Sequence, residues 1–487
     1  MSAAMNKELR RTSIVVLLMF VTLFVSTSII QVISADELRD DPRNSRTFYA
    51  NMSVNRGPIL VDGIPIAESI AVDGPIAYQR VYANGPLYSA VTGYMTIGQG
   101  NTGLEADLNG FLSGTTGGQF FDQVRQILSG QSPQGAAVET TIDAYVQQVA
   151  WDALGDYTGA VIAIRPATGE ILAMVSKPTF DPNSLAVHDT EAVIALYEQL
   201  LADPLDPLIN RTMNGNLDPP GSTFKIVVAA AALGAGYTAD SPLPNPATLT
   251  LPGSDSVVYN ADRGTCGPGE TVTLADALRL SCNSPCAELG LQLGYRTILE
   301  QAMAFGFNES VDVPMVSTPS VYPRVLDDAQ TMLSAFGQSD VRASPLQMAM
   351  VSAAIANQGV LMQPTLIEAI IAPDQTTLQS LTPTSLGQPI TQAQAETLVQ
   401  MMVANVSSGA ASGAIIDGVE VAGKTGTAQN GDDEPYTLWF TGFAPANNPE
   451  VAVAVVIQDG GGLGQDGTSN GIPAPIGRAV MEAVLSR

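Results

Sequence analysis

Between Ile14 and Ile33 the chain runs apolar for twenty residues, interrupted only by Thr22, Ser26, Thr27, Ser28 and Gln31. Twenty helical residues rise about 30 Å, the thickness of a bilayer core, so one membrane-spanning helix constrains everything that follows. Lys7, Arg10 and Arg11 precede the run, and Asp36, Glu37, Asp40 and Asp41 follow it. The positive-inside rule then predicts a cytoplasmic tail over residues 1–12, an anchor over 13–34 and the remainder outside the cell membrane. A cleaved signal peptide is the alternative, with small Ser34 and Ala35 near a cleavage point, but the run is long for a signal core of about 7–15 residues. Both readings export the chain. No second run of this kind occurs, so the protein reads as single-pass.

The 47 acidic and 21 basic side chains leave a net charge of −26, the wrong sign for phosphate contacts, so nucleic acid is a poor partner. With 45% apolar and 14% charged residues, the exported part can bury a large core. The single histidine, His188, excludes a histidine metal cluster, and a Ser-His-Asp triad would rest on that one residue. Only four lysines are present: Lys7, Lys177, Lys225 and Lys424. Lysine chemistry has to come from that short set.

Export also bears on Cys266, Cys282 and Cys286, since an oxidising compartment permits one disulfide and leaves one thiol. Three cysteines with no histidine nearby make a poor zinc site, and no metal is expected. Cys266–Cys282 is the preferred pairing, because the glycine-rich loop Gly264–Gly269 can bend to meet Cys282. A Cys282–Cys286 bridge is disfavoured because a helical i,i+4 spacing rarely matches disulfide geometry. Cys286, one turn into a helix opened by Pro285, reads as a small buried apolar residue.

Residues 36–150 are rich in glycine, short strands and polar turns, and their composition differs from residues 151–487. From Thr141 a helical pattern leads into two β-rich runs, Gly159–Arg165 and Glu170–Ser176, joined by a turn at Gly169 and read as a hairpin. Leu438–Ala444 and Val451–Gln458, around Asn447-Asn448-Pro449, form a second. Ile476, Ala479, Val480, Ala483 and Val484 share one helical face near the C-terminus. The middle, about 191–360, reads as mostly helical. Strands at both ends with helices between predict an α/β (α+β) sheet whose edges come from distant parts of the chain. Glycine-rich Asp459–Gly471 reads as a mobile loop, because no strand–GxxxxGK–helix context makes it a phosphate cradle.

Three short motifs carry the chemistry. Pro219-Pro220-Gly221-Ser222-Thr223-Phe224-Lys225 opens a run, Ile226–Leu233, that is apolar on all sides and therefore a buried helix. Ser222 and Lys225 are three apart and share a face of its first turn. Read plainly, Ser222 is a cap and Lys225 a solvated residue. Burial argues otherwise for the lysine: an ammonium without water pairs or loses its proton, and a neutral amine beside a hydroxyl is a general base beside its nucleophile. The second motif, Ser281-Cys282-Asn283, follows the helical stretch Leu274–Leu280 and alone reads as helix caps. The third is Gly423-Lys424-Thr425-Gly426-Thr427, a polar strand edge. Gly426 there admits a close backbone, and two threonines with a lysine suit a carboxylate ligand.

Two of four lysines thus occupy the S-x-x-K and K-T-G positions, and the order S-x-x-K, S-x-N, K-T-G is that of β-lactamases and penicillin-binding proteins. The chain resembles class B penicillin-binding proteins, in the short, penicillin-binding protein A-like branch with a small pedestal. The resemblance runs from about residue 42 to the C-terminus. It includes Arg56-Gly57-Pro58-Ile59, Gly103-Leu104-Glu105, Ala167-Thr168-Gly169-Glu170, Phe180-Asp181-Pro182-Asn183, Asn210-Arg211, Ser344-Pro345-Leu346-Gln347 and Trp439-Phe440-Thr441-Gly442. It implies a penicillin-binding transpeptidase fold: a central antiparallel sheet flanked by helices, an all-helical subdomain and a β-rich pedestal.

The resemblance also implies a mechanism. Ser222 would attack the penultimate D-alanine carbonyl of a peptidoglycan stem peptide, and Lys225 would take its proton. Ser281 would relay a proton to the leaving amine, and Asn283 would hold the substrate and orient Lys225. Lys424, Thr425, Gly426 and Thr427 would line the carboxylate site, with the N–H groups of Ser222 and Thr427 as the oxyanion hole. No metal or organic cofactor is implied. The implied partners are stem peptides, penicillin and other β-lactams, the membrane, and a polytopic membrane glycosyltransferase. A D,D-carboxypeptidase and a binding scaffold are the alternatives. A β-lactamase is disfavoured, because the Glu-x-x-Leu-Asn string at Glu105–Asn109 precedes Ser222 instead of following the S-x-N motif.

Overall fold

The computed structural model of the chain describes residues 2–34, 38, 54–74, 76–96, 98–116, 119 and 133–487. Ala35 and the acidic residues Asp36, Glu37, Asp40 and Asp41 lie outside them. Helix α1, Ser2–Ser28, continues into one π-type turn, Ile29–Ile33. Over Arg10–Ile33 it is long and apolar enough to cross a membrane, with a mean hydropathy of 2.5. Thr22 and Thr27 return their hydroxyls to the carbonyls of Leu18 and Leu23 at 2.8 Å, which satisfies them without water.

The region expected to form the pedestal carries four strands among its described residues: β1 (Ile59–Val61), β2 (Ile64–Ala71), β3 (Tyr78–Tyr82) and β4 (Ala137–Thr140). Asp62 and Gly63, at φ 52° and 73°, turn β1 into β2, and an Asp-Gly pair with both φ positive is the turn that matches strand twist. β4 lies parallel to β1. Two strands from much later in the chain, Ile367–Ile371 and Thr377–Ser380, add outside β4 and complete a six-stranded sheet. No local pattern announces this long-range pairing.

Inside the pedestal Glu105 is fully buried between Arg80, 2.6 Å away, and Arg56, 2.8 Å away. Burial alone pushes its carboxyl up, but the two guanidiniums outweigh that and hold it below the usual carboxylate range. The carboxylate that could pass for a hydrolytic base is thus a structural ion cluster.

The catalytic unit is organised by a five-stranded antiparallel sheet. Helix α2 (Ala144–Leu154), capped by the Asp143 side chain, leads into β5 (Gly159–Ile164) and β6 (Ile171–Lys177). The last three strands, β7 (Ala422–Ala428), β8 (Thr437–Ala444) and β9 (Val451–Ile457), form a meander near the C-terminus. The order β7-β8-β9-β5-β6 joins both ends of the chain, Val455 pairing with Val161. Val161 and Ala163 face a cluster with α2 and the final helix, while Ala160 and Ile162 face a second cluster with Met348 and Val351. A sheet covered on both faces explains strands that read as unbroken apolar runs.

The middle of the chain supplies five more helices that matter for the site: α3 (Lys225–Gly234), α4 (Leu274–Arg279), α5 (Ser284–Leu293), α6 (Pro345–Ala356) and α7 (Gln392–Ser408). Helix α8 (Pro473–Leu485) closes the chain. This region also holds short strands at Pro242–Pro244, Thr248–Thr250, Val257–Tyr259 and Thr271–Thr273. Three-residue strands are too short to leave a periodicity. Asp459–Gly471 carries a 3-10 turn and is tied back by Gly460 N–H to Tyr436 O at 2.7 Å.

Candidate active site

Ser222 lies in a 3-10 turn, Gly221–Phe224, that runs straight into α3, so it is no helix cap. Several backbone contacts fix the turn. Gly221, at φ 53°, donates its N–H to Gly337 O at 3.0 Å, and a Cβ on Gly337 would lie 2.0 Å from Gly221 O. The indole N–H of Trp439 donates to Pro219 O at 2.9 Å, and Asp218 accepts from Gln458 at 3.0 Å. On the other side the turn meets edge strand β7 at Gly426, where a Cβ would come within 2.6 Å of Pro220 O. Three glycines therefore let three backbones converge on the Ser222 turn.

Lys225 sits on the buried first turn of α3, and its Nζ donates to Ser281 O at 2.7 Å and to Asn283 Oδ1 at 2.8 Å. Burial lowers its amine from the ordinary lysine value to about 8, with the nearby Cys286 thiol acting in the opposite direction. Lys424, on β7 and fully buried, donates to Ser281 Oγ at 2.7 Å and to Thr425 O at 2.9 Å. Burial, then the proximity of Lys225, push it well below the usual lysine range.

Ser281 is the hub between the two lysines, and its backbone explains why. Helix α4 ends with Cys282 N–H bonded to Ala277 O at 2.9 Å and Ser281 N–H to Leu278 O at 3.2 Å, the paired bonds of a Schellman ending. Such an ending puts a left-handed residue just past the helix, usually glycine, and here Ser281 takes it at φ 61°. That strain, about 1–2 kcal/mol for an L-residue, places a hydroxyl where Lys424 reaches it and a carbonyl where Lys225 does.

On β7, Thr427 Oγ1 and Ser469 Oγ are 2.8 Å apart, and Ser469 also donates to Gly426 O at 2.6 Å. Cys266 and Cys282 form a disulfide, Cα to Cα 5.8 Å, and Cys286 is a buried free thiol. Ser222, Lys225, Ser281, Asn283, Lys424 and Thr427 thus converge from the Gly221–Phe224 turn, α3, the α4–α5 turn and β7. Neither motif spacing nor periodicity points to Gly337 or Ser469, which join the site only through the fold. Among the described residues no group of histidine, cysteine or carboxylate side chains could hold a metal ion.

Comparison with known proteins agrees with this geometry. The model of the penicillin-binding protein transpeptidase domain matches residues 159–482, and that of the penicillin-binding protein A dimerisation domain matches residues 56–138. The chain belongs to the penicillin-binding protein family. It is 40% identical over 490 residues, 99% of each chain, to the peptidoglycan D,D-transpeptidase PbpA of Mycolicibacterium smegmatis. It is 37% identical, over the same shares, to that of Mycobacterium tuberculosis. The ceftriaxone acyl-enzyme complex of M. tuberculosis penicillin-binding protein A superposes with a TM-score of 0.86 at 36% identity, covering 90% of this chain and all of that one. The penicillin G acyl-enzyme complex gives 0.84 at 36% identity, covering 89% of this chain and all of that one. As a penicillin-binding protein, the chain has the class B fold implied by its motifs.

Proposed function

We infer that the protein is a serine D,D-transpeptidase that cross-links peptidoglycan stem peptides and is acylated by β-lactams at Ser222. The observation that carries this reading is the bonding of Lys225. A neutral amine has two N–H bonds and one lone pair. When the amine is neutral, Ser281 O and Asn283 Oδ1, at 2.7 and 2.8 Å, take both N–H bonds and leave the lone pair free to accept a proton.

In this mechanism Ser222 Oγ bonds to the penultimate D-alanine carbonyl carbon while its proton passes to Lys225 Nζ. The tetrahedral oxyanion is held by the N–H groups of Ser222 and Thr427. The bond to the terminal D-alanine nitrogen then breaks as that nitrogen takes the proton Lys225 received from Ser222, relayed through the Ser281 hydroxyl, whose oxygen Lys424 polarises. The amine of a second stem attacks the ester, restores Ser222 and completes the cross-link. Lys424, Thr425 and Thr427 bind the terminal carboxylate beside Gly426, which has no side chain to block it. Asn283 holds the substrate backbone as well as Lys225. No metal or organic cofactor enters these steps.

The N-terminal helix is read as an uncleaved single-pass anchor with the basic tail inside and the catalytic unit outside. Residues 36–150 are read as a pedestal and 151–487 as the transpeptidase unit. A polytopic membrane glycosyltransferase is the proposed partner of anchor and pedestal, testable by cross-linking in membranes. For the activity itself, Ser222→Ala is expected to abolish the covalent penicillin adduct in intact-mass spectrometry and to leave the circular dichroism spectrum unchanged. An adduct on the mutant protein would refute the assignment. Lipid-linked substrate turned over to cross-linked dimers, with products weighed by mass, separates transfer to an amine from hydrolysis.

A further inference from the structure

Asn283 stands at the N-terminus of α5, where an asparagine side chain ordinarily accepts from the first free N–H groups. Here it makes no such bond. Its Oδ1 is committed to Lys225 at 2.8 Å and its Nδ2 to Tyr259 O at 2.9 Å. The helix end is therefore left without its own cap. Asn260, from a different part of the chain and only 5% exposed, holds the backbone where the helix starts: its Oδ1 accepts from Asn283 N at 2.8 Å and from Ser284 N at 3.1 Å.

Asn260 is itself held in place. It closes a turn in which Arg263 N–H bonds to Asn260 O at 2.9 Å, and its Nδ2 donates to Gly264 O at 2.9 Å. Its oxygen thus faces two donors and its nitrogen an acceptor, which settles the amide orientation. Further along, buried Asn245 accepts from Cys266 N at 2.8 Å and donates to Cys266 O and Gly269 O, both at 3.1 Å. The loop from Asn245 to Glu270 is a braced arm whose tip carries Asn260 against the Ser281–Asn283 turn.

We propose that Asn260 is a positioning residue for acyl transfer: by holding the N–H groups of Asn283 and Ser284, it fixes the backbone from which the Asn283 side chain reaches Lys225. Substitution of Asn260 releases that stretch of backbone, the bond from Lys225 Nζ to Asn283 Oδ1 loosens, and the base drifts from Ser222. The proposal rests on the reading of Ser222 as nucleophile, and penicillin labelling of the parent protein tests that reading separately.

The experiment uses the full chain in detergent and measures the rate constant for acylation by a fluorescent penicillin on folded protein. Asn260→Ala slows acylation between about ten- and a hundredfold, the range for a catalytic group displaced by up to 1 Å. A purely structural role would give an effect independent of Asn283, so the deciding measurement is a double-mutant cycle. If Asn260 acts through Asn283, adding Asn260→Ala to Asn283→Ala costs no further rate. Additive losses, or parental acylation in the single variant, overturn the proposal. Should Asn260→Ala fail to fold, Asn260→Asp keeps the accepting oxygen and is expected to acylate within about threefold of the parent at pH above the lysine limb. A folded aspartate variant as slow as Asn283→Ala overturns it equally. If the parent protein does not label at all, the reading of Ser222 fails instead.

Discussion

Replacing Gly426 by alanine tests whether the distance between β7 and the Ser222 turn is set by the missing side chain. A Cβ at that position would lie 2.6 Å from Pro220 O and 2.9 Å from Thr223 N, where ordinary contacts begin at 3.4 Å. Both neighbours are backbone atoms, so no side chain can rotate aside. The turn cannot retreat easily either, because Trp439 holds Pro219 O at 2.9 Å and Gly337 holds Gly221 N at 3.0 Å. Strand and turn must therefore part by the 0.8 Å between 2.6 and 3.4 Å, and Thr427 moves with the strand. A misplacement near 1 Å costs about a hundredfold in rate, so acylation should fall by tens to about a hundredfold. Overpacking of this kind costs about 1–3 kcal/mol, so the protein should remain folded with a lower thermal midpoint. The assay is time-resolved labelling by a fluorescent penicillin, with Gly234→Ala as control. That glycine ends α3, and a Cβ there meets nothing nearer than Gln394 Nε2 at 3.7 Å. Acylation of Gly426→Ala within about threefold of the parent would show that the close approach does not position the site.

Acylation by penicillin should climb as pH rises through about 8, where the buried Lys225 ammonium gives up its proton, and level off above it. Lys225→Arg keeps the charge but cannot deprotonate, so its labelling should be absent at every pH, and near-parental labelling would reduce Lys225 to an electrostatic anchor. Glu105→Gln leaves two buried guanidiniums without a counter-charge and should cost about 3–5 kcal/mol by chemical denaturation, while the folded fraction still acylates; selective loss of acylation would give Glu105 a catalytic part. Cys266→Ser should lower stability by about 3 kcal/mol, since the bond closes a loop across 16 residues, and non-reduced peptide mapping should link Cys266 to Cys282 with Cys286 free.

Much of the chemistry is legible because it is local. Ser222 and Lys225 fall on one turn by spacing alone, and the unbroken apolar run after them is what burial on all sides looks like in sequence. The hairpin of β5 and β6 and the meander β7–β9 announce themselves by β-rich runs and turn residues. Other features were invisible for an equally physical reason. Residues 367–380 complete the pedestal sheet through pairing with β4, and such pairing is decided by what the two surfaces bury together, not by either strand.

The sequence by itself determined the membrane-length helix, the elements of the central sheet and the residue types that can perform acyl transfer, because each depends on neighbours a few positions apart. Only the tertiary structure decided how those residues act. It put Ser281 in a left-handed backbone between two buried lysines, removed water from both ammonium groups, and brought Asn260 and Ser469 to groups they do not adjoin in sequence. An amine's proton affinity and a hydroxyl's partner are set by everything within a few ångströms, and in a fold of this length most of that comes from distant parts of the chain.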